Sequence, residues 1–157
     1  GSGMSDPLAV VGVAANFPGG ACNYAKLQQG LAAGCDAFVE VPFMRWELSE
    51  YWDPNPDAPG KMYPRHGGFV EGAEKFDADF FAISAPEARA MDPQQRLIME
   101  TSFEAFLDGG YERASLIGSE ICALIGVSNN DWIQVQSGDI RKLTPYTATG
   151  TSASISA

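Results

Sequence analysis

Apolar positions along this chain fall into two patterns. Residues 8–13 (Leu-Ala-Val-Val-Gly-Val) and 121–127 (Ile-Cys-Ala-Leu-Ile-Gly-Val) are short and almost uninterrupted, which predicts strands buried on both faces. Elsewhere apolar and polar residues alternate at helical spacing between recognisable end signals. Asn23 is placed to cap a helix over residues 24–33, and Gly34 to end it. Ser84 and Glu87 hold the paired positions of a capping box and open a short helix to about Met91. Asp92 then caps a longer helix, with Pro93 at its first position and Gln95 placed to reach back as the other half of a capping box. That helix runs to about Leu107 and stops at Gly109-Gly110. A polar loop at 128–131 can cap a further helix through residues 132–136.

The stretches between these elements read as turns and loops. Asn16-Phe17-Pro18-Gly19-Gly20 is turn chemistry, but without the GxGxxG spacing of a dinucleotide site. Residues 41–63, rich in proline, aspartate and aromatics, form a long ordered loop, and residues 66–70 a short strand or hairpin arm. Phe76, Phe80 and Phe81 recur at helical spacing, as core packing rather than a ligand box. Arg96, Glu100, Glu104 and Asp108 make a charged stripe at four-residue spacing. It reads as a solvated or salt-bridged face, with an Arg96–Glu100 pair adding about 0.2–0.5 kcal/mol, rather than as an acidic catalytic cluster. The small residues of 144–157 let a helix approach its neighbours closely. Two apolar strands are too few for a stable sheet, so its other strands are expected from further along the polypeptide or from another chain.

Composition narrows the function classes. With 157 residues, 45% of them hydrophobic and 19% charged, the chain can bury a core and is not of disordered type. A formal charge of −10 argues against nucleic acid and against an anionic membrane surface as partners. No apolar run approaches the roughly 20 residues of a membrane helix, and no secretory signal opens the chain. Gly1-Ser2-Gly3 before Met4 reads as a tag remnant, with residues 1–5 as tag and linker. Cys22, Cys35 and Cys122 include no CxxC pair, and His66 is the single histidine, so no metal site is expected. The thiols read as reduced and structural in a cytoplasmic protein. Cys122, within an apolar strand, is expected to be buried, protonated and inert.

The run Met91-Asp92-Pro93-Gln94-Gln95-Arg96 also resembles the "MDPQQR" signature of type I ketosynthases, the condensing domains of polyketide and related fatty-acid synthases. Further landmarks follow that family's order. Ala9-Val10-Val11-Gly12-Val13-Ala14 with Phe17-Pro18-Gly19-Gly20 resembles its opening strand and turn. Arg45-Trp46, Tyr51-Trp52-Asp53-Pro54 and Pro59-Gly60-Lys61-Met62-Tyr63 resemble the loop before Gly67-Gly68-Phe69, and Phe76 to Ser84 leads into the signature. Ala15-Asn16 stands where many members have Cys-Arg, Gln28 where Trp is common, and Ala82 and Ala85 where Gly and Pro are frequent.

The resemblance implies an α/β, thiolase-like fold of αβαβα layers, with residues 6–157 forming part of its first half only. It implies decarboxylative Claisen condensation of an acyl-cysteine with a malonyl-type extender, during polyketide or fatty-acid chain elongation. The family's cysteine lies in a Thr-Ala-Cys-Ser-Ser-Ser-like run beyond the matched region, and its two histidines further on. No catalytic residue is therefore expected in this chain, which alone should be inactive. Ser128, Asn129 and Asn130 match a loop near the acyl pocket, and Thr149 lies in a region near the pocket and dimer interface. Loop capping or close packing accounts for these residues equally well. The implied partners are an acyl carrier protein bearing phosphopantetheine, the remainder of the ketosynthase domain, a second copy in a homodimer, and an adjacent acyltransferase domain. No cofactor is bound directly. The alternative is a non-catalytic ketosynthase-like partner for dimerisation or carrier-protein docking.

Overall fold

The structure, a computed structural model, describes residues 7–129, 131–138 and 144–152. The chain divides into two units: Ala15–Gly72, and the stretch up to Ala14 together with everything from Ala73.

In the unit Ala15–Gly72, helix α1 (Tyr24–Ala33) forms with the predicted ends. Asn23 Oδ1 accepts from the Lys26 amide at 2.9 Å, and Gly34 closes the helix at φ 65, a left-handed conformation that favours glycine. Strands β1 (Phe38–Glu40) and β2 (His66–Gly68) pair antiparallel, with Phe38 opposite Gly68 and Glu40 opposite His66. This confirms the expected short strand at 66–70. The long loop between them is ordered by its aromatics. The Trp52 indole N–H donates to the Tyr63 carbonyl at 2.9 Å, and Lys61 Nζ donates to the Glu50 carbonyl at 2.6 Å. The Arg65 guanidinium lies 4.9 Å from the Trp52 ring centre and pairs with Glu40. A four-residue helix within this loop, α2 (Leu48–Tyr51), carries no side-chain cap and was not apparent from the sequence. Ala15, Ala21 and Val41 are the buried apolar residues here.

The other unit holds α3 (Ala85–Ala90), α4 (Pro93–Asp108), α5 (Arg113–Leu116), α6 (Trp132–Ser137) and α7 (Thr147–Gly150). Ser84 Oγ accepts from the Glu87 amide at 3.4 Å, and Asp92 Oδ1 accepts from the Gln94 amide at 2.8 Å, as the caps predict. Asp131 precedes α6 but makes no side-chain cap bond. The phenylalanines do pack together, with Phe80 4.8 Å from Phe103 and 5.0 Å from Phe81 between ring centres, although Phe76 to Phe81 lie in turns rather than a helix. Ala82 sits at φ 56, a left-handed conformation unusual for a residue with a β-carbon.

Several expectations are corrected. Residues 8–13 and 121–127 form no ladder among the described residues, and Leu8 is 99% and Leu124 92% exposed. A strand buried on both faces needs neighbours and a layer on each side. The Val13 amide donates to Asp108 Oδ2 at 2.8 Å, and the two stretches flank a groove of about 670 Å³ along α4 with Ile98 and Phe106. Cys122 is accordingly exposed rather than buried, as are Cys22 and Cys35. The charged stripe is also used differently. Asp108 and Glu100 accept from the backbone amides of Val13 and Asp77, and the ion pair recorded among the described residues is Arg65–Glu40, not Arg96–Glu100.

Candidate functional site

The deepest burial in the larger unit lies at the junction of α3 and α4. Ala90, Met91, Asp92, Gln95 and Thr151 are all buried there. The local sequence explains why the chain is irregular at this point. Pro93 at the helix start removes a donor that would have had no partner, and Met91 and Asp92 are held extended between the two helices.

The junction's polar groups reach outward to segments far along the chain. The Asp92 amide donates to the Gly150 carbonyl at 2.8 Å. Gln94 Nε2 donates to the Asn129 carbonyl at 2.9 Å and to the Asp92 carboxylate at 3.2 Å. Gln95, only 6% exposed, does not reach back as half of a capping box. Its Nε2 donates instead to the carbonyls of Thr149 at 3.2 Å and Ser152 at 3.1 Å. The Ala90 carbonyl accepts from Trp132 Nε1 at 2.9 Å and from Gln136 Nε2 at 2.6 Å. Gly150 meets the same carbonyl so closely that only a residue without a side chain fits. The small residues of α7 therefore make the close approach to α3 that their composition predicts.

The expected site residues separate accordingly. Asn129 and Thr149 are brought to adjacent glutamines on the first turn of α4, through their backbone carbonyls. Their side chains are exposed, with the Thr149 hydroxyl donating to the Tyr146 carbonyl at 3.0 Å. Ser128 is exposed, and its hydroxyl donates to Asn129 Oδ1 at 3.4 Å. Asn130 lies outside the described residues. Sequence reasoning missed Gln94 and Gln95 as anchors. The signal was available: two adjacent carboxamides at a helix start whose cap was already supplied by Asp92.

Beside the junction lies a cavity of about 440 Å³, lined by Pro86, Arg89, Ala90, Trp132, Val135, Gln136 and Thr144. Arg96 is half-buried, and its Nε has no hydrogen-bond partner. Burial pulls its pKa below the ordinary arginine value, against the opposing pull of Asp92 and Glu100. Among the described residues no cluster of three or more His, Cys, Asp or Glu side chains is placed to hold a metal, and His66 is exposed on β2. What the junction can do chemically is to hold polypeptide: it fixes two loops against one helix start.

The β-ketoacyl synthase N-terminal domain model matches residues 5–157. The chain is 42% identical over 151 residues to component PikAII of the pikromycin polyketide synthase of Streptomyces venezuelae, and 45% identical over 124 residues to erythronolide synthase EryA3 of Saccharopolyspora erythraea. These alignments cover 96% and 78% of the chain but only 4% of either relative. Among solved structures, an oxazolomycin ketosynthase domain of Streptomyces albus superposes with a TM-score of 0.64 at 38% identity, over 69% of this chain and 19% of that one. A ketosynthase from module 6 of the bacillaene synthase of Bacillus subtilis gives 0.61 at 34% identity, over 69% and 18%. These similarities carry the thiolase-like α/β fold, of which the chain spans a part. No described helix is long and apolar enough to cross a membrane. This chain belongs to the β-ketoacyl synthase N-terminal domain family, as a ketosynthase segment of the type I polyketide synthases.

Proposed function

We propose that this chain is the N-terminal portion of a ketosynthase that elongates a polyketide by decarboxylative Claisen condensation. The observation that carries this reading is the 42% identity with a pikromycin synthase component, sustained over 151 residues. In such a reaction a cysteine thiolate takes an acyl group from the phosphopantetheine thioester of an acyl carrier protein. Loss of CO₂ from a malonyl-type extender then leaves a carbanion that attacks the acyl-cysteine. A carbon–carbon bond forms and the thiolate departs, while backbone amides stabilise the intervening oxyanion.

On this reading the nucleophile and the two assisting histidines lie outside residues 1–157, which alone do not condense. The chain supplies scaffold, and the loops carrying Ser128, Asn129 and Thr149 border the acyl pocket. The carrier protein, the rest of the ketosynthase domain, a second copy and an adjacent acyltransferase domain are its partners. The test is to offer the full polypeptide an acyl-carrier protein and then a malonyl-carrier protein. A β-ketoacyl product two carbons longer supports the reading. An acceptor that is never acylated refutes it, and leaves the non-catalytic docking role.

A further inference from the structure

Resting on that ketosynthase reading, we propose that Gln94 and Gln95 are positioning residues. Their paired carboxamides fix the 128–129 loop and the 149–152 turn at a set spacing, and so set the shape of the cleft that receives the acyl thioester. The chemistry of each contact is specific to an amide. Gln95 Nε2 has two N–H donors and meets two carbonyls, of Thr149 at 3.2 Å and Ser152 at 3.1 Å. Gln94 Nε2 divides its donors between the Asn129 carbonyl at 2.9 Å and the Asp92 carboxylate at 3.2 Å. The Asp92 amide adds a fourth tie, to Gly150 at 2.8 Å. A stretch of four residues thus anchors two segments 35 or more positions further along (the Gln94 contact spans 35, the Gln95 contacts 54 and 57).

These ties engage backbone carbonyls and leave the side chains of Asn129 and Thr149 outward. A clamp on the backbone sets where those side chains stand without using their polar groups, which bond locally to Tyr146 and Ser128. Misplacement of a binding wall by a fraction of an ångström is enough to slow a positioned reaction.

The test is made on the full polypeptide. Gln95→Glu keeps the shape but offers carboxylate oxygens to two carbonyls. Phe103→Leu, in the Phe80–Phe81 cluster, serves as a control of similar stability loss that does not touch the clamp. Gln95→Glu is expected to lower kcat/KM for acyl loading by about 10- to 100-fold. Alkylation of the nucleophilic thiol by iodoacetamide should stay within about two-fold of wild type, and Phe103→Leu should change neither rate. Exchange of the Gly150 amide, which donates to the Tyr146 carbonyl, should accelerate in Gln95→Glu and not in Phe103→Leu. Should Gln95→Glu fail to fold, Gln94→Glu, at a less buried position, carries the comparison of acyl loading with alkylation, with exchange read at the 128–129 loop instead of at Gly150. Equal losses in the two variants, or parallel loss of alkylation, overturns the positioning role. Unchanged Gly150 exchange overturns the clamp itself. A wild-type protein that accepts no acyl group refutes the functional reading instead, and exchange then decides the clamp alone.

Discussion

Gly150 approaches Ala90 so closely that a β-carbon on the glycine would overlap the Ala90 carbonyl oxygen. The obstacle is backbone on both sides, so neither partner can turn aside. The same carbonyl is already held by Trp132 and Gln136. Gly150→Ala is therefore expected to destabilise the protein by about 1–3 kcal/mol through overpacking. Urea denaturation measures this directly, and a loss below about 0.5 kcal/mol would contradict the contact.

Ala82 is the one described non-glycine residue with positive φ, at 56. A β-carbon in that region crowds the following carbonyl, and glycine removes the crowding. Ala82→Gly is expected to stabilise by about 0.5–1 kcal/mol, net of the entropy that glycine adds to the unfolded chain. Destabilisation by that mutation would show the conformation to be wrongly assigned.

Asn23 caps α1 through a 2.9 Å bond to the Lys26 amide. Asn23→Ala should cost about 1 kcal/mol, and Asn23→Asp should preserve most of the stability because aspartate accepts equally well. Thermal unfolding of the two variants separates the cap from a change in side-chain size.

Arg96 sets an expectation for pH. Desolvation pulls its folded pKa below the unfolded value, with Asp92 and Glu100 opposing. Between those two values the unfolded chain binds more protons than the folded one, so this arginine makes stability rise with pH only between them. Below both values the arginine is charged in both states and contributes no slope. Wild type and Arg96→Met should therefore give parallel stability-versus-pH curves over that range. Diverging curves would contradict an arginine that stays charged in both states.

Local signals were legible, and long-range ones were not. Asn23, Gly34, Ser84 and Asp92 mark helix ends because a cap is decided within four residues. The strands expected at 8–13 and 121–127 depend on neighbours that no described residue supplies, and Cys122 was misplaced with them. Gln95 shows the same limit at one side chain. Its spacing from Asp92 suited a capping box, but its amide is better matched by two carbonyls of a turn more than fifty positions away (54 and 57). The motifs identified the family because they are collinear, while the contacts of Gln94 and Gln95 became visible only in the structure.

The measurement that bears most directly on the account is peptide mapping of the full polypeptide after exposure to an acyl-carrier protein. The account predicts one acyl adduct on a cysteine outside residues 1–157, with Cys22, Cys35 and Cys122 unmodified. An adduct on any of those three thiols, or none anywhere, would contradict it.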